Sequence, residues 1–157
     1  YEEVGLKKRS NYPYKYFFTS NFLISRDVFK EVQFEEKLRK YGREDLLFSL
    51  NLKSNGFKII HIKNEVYHLG IDDDKTFVSK TKQAMENVAF LDNDKLLFKE
   101  DSKSGLLKFV SLLKAVGISK IIGKLNYFFE KKAIKNSSLF YLNCLKVSYL
   151  CFLKEKI

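Results

Sequence analysis

The stretch YFFTSNFLIS, residues 16–25, decides how the rest of the chain is read. Its aromatic and branched side chains suit a pleated, half-buried surface, so a buried strand is expected, with a break at Ser20–Asn21. Outward from it, FKIIHI (57–62) and EVYHL (65–69) read as two further short strands joined at Lys63–Asn64. Helical patterns lie between and beyond. Val28–Val32 makes a short helix after Asp27. EDLLFSLNLKSN (44–55) carries Leu at helical spacing and meets Gly56, where a left-handed stop is expected. Asp74 is placed to cap a long helix from Lys75 to about Leu91, with Val78, Met85 and Val88 in its apolar stripe. Strands interleaved with helices predict an α/β class, a short mixed sheet with flanking helices, followed by an all-helical tail.

Three regions separate by pattern. Residues 1–15 form a polar, basic arm with Asn11, Tyr12 and Pro13; residues 16–98 hold the mixed elements; residues 104–157 read as three amphipathic helices divided by Gly105, Gly117, Gly123 and Asn136–Ser138. At 157 residues there is material for one ordinary domain with a real core. The chain begins at Tyr1 without an initiator Met, so a preceding piece is expected.

Charge is unevenly spread. Of the net +10, residues 104–157 supply +8, from 10 Lys against 2 Glu, whereas residues 1–103 are nearly balanced. A nucleic-acid binder would carry its excess on a recognisable module with aromatics interleaved among cations, and here the aromatics follow the apolar faces; no nucleic-acid partner is expected. The cationic helices carry two readings. Their apolar faces pack on the protein with Lys solvated outside, or they lie on an anionic cytoplasmic membrane surface. Cys144 and Cys151, two turns apart on one helical face, suit neither a disulfide nor a paired metal site.

The candidate chemistry centres on Tyr41-Gly42-Arg43-Glu44-Asp45. Acidic residues in a first turn favour the helix dipole whatever else they do. A carboxylate on a rigid helix start can also act as a general base toward an acceptor hydroxyl. His68, at a strand end, is either a structural hydrogen-bonding residue or a ligand. His61 alternates with Ile60 and Ile62 and reads as a half-exposed strand residue. Asp72-Asp73-Asp74 could bind a cation, although consecutive acids before a helix ordinarily cap it.

Taken in order, Phe18-Thr-Ser-Asn21-Phe-Leu-Ile24, Phe34-Glu-Glu36, Tyr41-Gly-Arg-Glu44-Asp45, Gly56, Ile60-His-Ile-Lys-Asn64 and His68-Leu-Gly70 resemble the second half of family 2 glycosyltransferases of the bacterial, Bacteroidetes-like type, over about residues 9–91. The resemblance implies the C-terminal, catalytic half of a GT-A-type fold over residues 16–98. It implies Asp45 as the catalytic base of an inverting transfer, and Glu44 as a residue that orients the acceptor or the base. Asn21 would border the sugar site, and His68 would join the divalent metal (Mn or Mg) at the donor diphosphate. Glu35 departs from the pattern, where relatives often have Asp. Nothing resembles the family's nucleotide-binding half or its Asp-x-Asp motif, so these residues alone are expected to be inactive. The implied partners are a nucleotide-sugar donor and a glycan or lipid-linked acceptor. The implied location is cytoplasmic, peripheral at the inner face of the membrane. The competing reading is a non-catalytic membrane-surface or scaffold module that keeps a remnant of such a fold.

Overall fold

The computed structural model describes residues 4–64, 66, 69–93 and 105–155. Among these residues the secondary structure is helical throughout: α1 (Leu6–Asn11), α2 (Arg26–Glu31), α3 (Glu44–Ser54), α4 (Asp74–Asn93), α5 (Gly105–Ala115), α6 (Ser119–Lys124), α7 (Asn126–Asn136) and α8 (Leu139–Lys154). No strand forms among the described residues, and the expected α/β class with its short mixed sheet, and with it the GT-A-type assignment, is corrected accordingly.

The reason lies in where the apolar segments find partners. Residues 22–25 and 57–62 have no regular secondary structure and join no ladder, and Leu23 and Ile60 are 100% and 82% exposed. Strand preference is mostly a preference for packing against neighbours across a sheet, and without a ladder it has nothing to act on. Side-chain bonds hold these segments instead. The Tyr14 hydroxyl donates to the Phe57 carbonyl (2.9 Å), and Asn21 Nδ2 donates to the Asn64 carbonyl (3.2 Å). The arm expected over residues 1–15 also differs, since Leu6–Asn11 is helical.

The chain divides into two compact units, residues 1–39 with 43–70, and residues 40–42 with 71–157. In the first, Phe48 of α3 is the hub. Its ring stacks on Phe34 at 4.2 Å between centroids and meets Phe17, Phe22 and Phe29 at 5.8–6.3 Å. Val32 and Leu52 complete this small core. Helix α3 ends as its sequence suggests: Gly56 takes φ +79, and the Phe57 amide donates to the Leu52 carbonyl.

In the second unit α8 packs against α4, α5, α6 and α7. Its Leu145 and Leu150 are fully buried, among Val78, Met85 and Val88 of α4 and Leu107 and Val110 of α5. Burying a Leu or Val side chain stabilises by roughly 1.5–3 kcal/mol. The long helix expected from Lys75 is present as α4, but it belongs with the helical tail rather than with residues 16–70. Four helices, not three, make up that tail among the described residues. Gly117 (φ +80) ends α5 with a closing bond from the Ile118 amide to the Leu113 carbonyl. Gly123, read as a break, instead lies within α6, where an added Cβ would stand 3.1 Å from the Phe152 backbone nitrogen. No helix among the described residues is long and apolar enough to cross a membrane.

Candidate functional site

Helix α3 is entered through two consecutive left-handed residues, Gly42 (φ +92) and Arg43 (φ +80). Glycine adopts this conformation freely; for arginine it costs about 1–3 kcal/mol, a strain that persists only where the surroundings impose it. Burial holds the Arg43 guanidinium below its ordinary pKa. Within the second unit, the buried Asn87 of α4 donates through Nδ2 to the Lys40 (2.8 Å) and Gly42 (2.6 Å) carbonyls.

Glu44 and Asp45 follow at once, in the first turn of α3. Both Asp45 oxygens are engaged by Thr19: Oδ1 accepts from the hydroxyl at 2.6 Å and Oδ2 from the amide at 3.3 Å. Each oxygen keeps a second lone pair, so the carboxylate is aimed without being exhausted as an acceptor. Glu44 Oε2 is buried and has no hydrogen-bond partner among the described residues. A buried carboxylate oxygen left unpartnered is costly, by about 1–3 kcal/mol.

A cavity of about 870 Å³ opens in the same unit, between the 16–25 segment and the 57–66 segment. Asn21, Arg9, Lys58 and His61 supply its polar wall, and Phe17 and Phe22 its aromatic one. Arg9 Nε is buried with no hydrogen-bond partner among the described residues, leaving a charged donor on this wall for a ligand acceptor. His61 Nε2 lies 2.9 Å from the Pro13 carbonyl; since a carbonyl can only accept, Nε2 carries the proton. Aromatic faces beside a few convergent polar groups suit a polyhydroxylated or phosphate-bearing ligand.

The residues singled out in the sequence therefore come together in part. Asn21 lines the cavity, and Asp45 is fastened to Thr19, two residues before Asn21. Glu44 and Asp45 do not themselves line it. His68 lies outside the described residues, and so does any pairing of His68 with Asp45. The Asp72-Asp73-Asp74 run is taken up structurally. Asp72 pairs with Lys80 (2.7 Å), Asp74 accepts from the Ser137 hydroxyl, and Asp73 caps α4 by accepting from the Thr76 amide (2.6 Å), which lowers the Asp73 pKa. Asp73, not Asp74, is the cap. Among the described residues no group of three or more His, Cys, Asp or Glu side chains converges.

Two contributors were not legible in the sequence: Thr19 and Arg9. The signal for Thr19 was a polar cluster, Thr-Ser-Asn, between aromatic residues in YFFTSNF; nothing local marked Arg9 among its basic neighbours. No family model, curated protein or solved structure matches the chain.

Proposed function

We propose that the first unit carries the acceptor-activating part of a sugar-nucleotide-dependent glycosyltransferase, with Asp45 as the base. The acceptor hydroxyl oxygen attacks the anomeric carbon, and the bond from that carbon to the diphosphate breaks. The leaving nucleoside diphosphate takes the electron pair, and the hydroxyl proton passes to Asp45, with inversion at the carbon. Glu44, the residue before it, orients the acceptor or the base. Asn21 and the cavity hold the sugar end of the donor. His68 and a divalent cation at the diphosphate belong to this proposal through the resemblance alone. The observation that carries it is the clamped Asp45, placed directly after a strained left-handed turn, in the motif order that suggested the activity. Strain kept at a helix start next to a carboxylate is characteristic of sites selected for more than stability.

The test is Asp45→Asn in the full-length protein, measured by sugar transfer from labelled nucleotide sugars together with donor binding. Turnover is expected to fall by about 10²–10⁴-fold, the range of a general base, with donor binding kept. Near-normal turnover removes the assignment. A second reading, a non-catalytic module, is favoured by the engagement of both Asp45 oxygens by Thr19. On that reading Asp45→Asn lowers the melting temperature and no transferase activity is found in the parent.

A further inference from the structure

Helices α6 and α7 follow one another with only Leu125 between them, itself in the right-handed region (φ −81, ψ −1). One side of this pair is turned inward. Gly123 lies against the backbone of α8, the Ser119 hydroxyl donates to Glu155 (2.6 Å), and Ala133 is buried. Helical periodicity then puts Ile118, Ile121, Leu125 and Phe128, spaced by three and four residues, on the opposite side. They are exposed there, Ile121 to 65% and Phe128 to 51%. Beside them on the same outward half stand Lys120, Lys124, Lys131 and Lys135, all exposed.

The described tail has two acids to set against these cations, and both are engaged: Glu130 with Lys82 at 2.9 Å, and Glu155 with Ser119 and, at 3.9 Å, Lys120. Among the described residues the outward half is thus an apolar row next to a lysine ridge, where Glu155 meets Lys120 alone. Solvent satisfies the lysines and not the row; a polar macromolecule would leave the row equally unsatisfied. A second copy would set one lysine ridge against another. A surface that is apolar below and anionic above satisfies both halves at once.

We propose that this face lies flat on an anionic lipid bilayer, with Ile118, Ile121, Leu125 and Phe128 at the acyl boundary and the lysines at the phosphate level. The inference is independent of the transfer chemistry, since it uses neither Asp45 nor the cavity. It refines the cationic tail into one defined face.

The test is co-sedimentation of the full chain with phosphatidylcholine vesicles, with and without phosphatidylglycerol, at low and high salt. Binding is expected with the anionic vesicles, and it should drop by at least about 10-fold in K120Q/K124Q/K131Q, in keeping with the contribution of each basic residue at such a surface. A comparable drop is expected in I121S/L125S/F128S, whose unchanged far-UV circular dichroism would show that the helices remain. The chain has no Trp, so Ile121→Trp is a clean probe whose emission should shift to the blue on anionic vesicles. Equal sedimentation with and without vesicles, or binding indifferent to both triple variants, overturns the proposal. So does a dimer that dissolves in I121S/L125S/F128S without any vesicle binding, or retention of RNA in its place.

Discussion

The two units use their side chains in opposite ways. The second is built as helix bundles usually are, from aliphatic residues at helical spacing spread over α4, α5 and α8, so no single side chain is in contact with everything else. The first concentrates its packing on one ring, Phe48, and holds extended segments by side chain to backbone bonds rather than by a ladder. A distributed core tolerates losses and gives a rigid support. A hub core with laced segments leaves room for a cavity and, among the described residues, for buried polar atoms without partners.

The sharpest way to break this contrast is Phe48→Ala. It removes the ring on which four others rest, and is expected to cost about 3–5 kcal/mol, with loss of protection from hydrogen exchange confined to residues 4–39 and 43–64. Leu145→Ala is its counterpart in the second unit. It should cost about 2–5 kcal/mol, with the exchange effect confined to α4–α8; global loss from either variant would show that the units do not unfold separately. Next in size is Gly123→Ala, where the new methyl must push back the α8 backbone: about 1–3 kcal/mol by thermal melting.

Thr19→Val leaves the volume nearly unchanged and removes the hydroxyl from Asp45. About 1 kcal/mol of stability is expected to go, and under the proposed chemistry turnover in the full-length protein falls more than donor affinity. The smallest effect concerns pH. Burial alone would raise the Glu86 pKa, but hydrogen bonds from Lys40 and Tyr149 outweigh it and the carboxyl lies below its ordinary value. A depressed folded value means that this contribution is complete above the ordinary Glu range and lost as pH falls through the folded value. Acid melts of the second unit should therefore be steeper in the parent than in Glu86→Gln, by about 0.5 kcal/mol or less for a partly solvated pair.

Much of the helical scaffold was legible before any coordinates. The left-handed stop at Gly56, the start of α3 at Glu44 and the run of α4 follow from capping and periodicity, which act within one or two turns of chain. The candidate site was legible only in its ingredients. Asp45 and Asn21 could be named, but Thr19, which holds Asp45, could not, because its bond to Asp45 spans 26 residues of sequence. Distance along the chain also explains the misread strands. YFFTSNFLIS and FKIIHI have strand composition, but a strand exists only with a neighbour, and these segments bond through Tyr14, Asn21 and His61 instead.

By itself, then, the sequence determined what depends on near neighbours: the helices, their glycine stops, the aromatic wealth of residues 16–57 and the cationic excess of residues 104–157. Only the tertiary structure decided what depends on remote ones. It made Phe48 a hub, set Asp73 rather than Asp74 as the cap of α4, left the extended segments without a ladder, and turned Ile121 and Phe128 outward beside the lysines. Helical hydrogen bonds join residues four apart and so are written into any short window, whereas ladders, cavities and exposed faces are relations between residues the chain must first bring together.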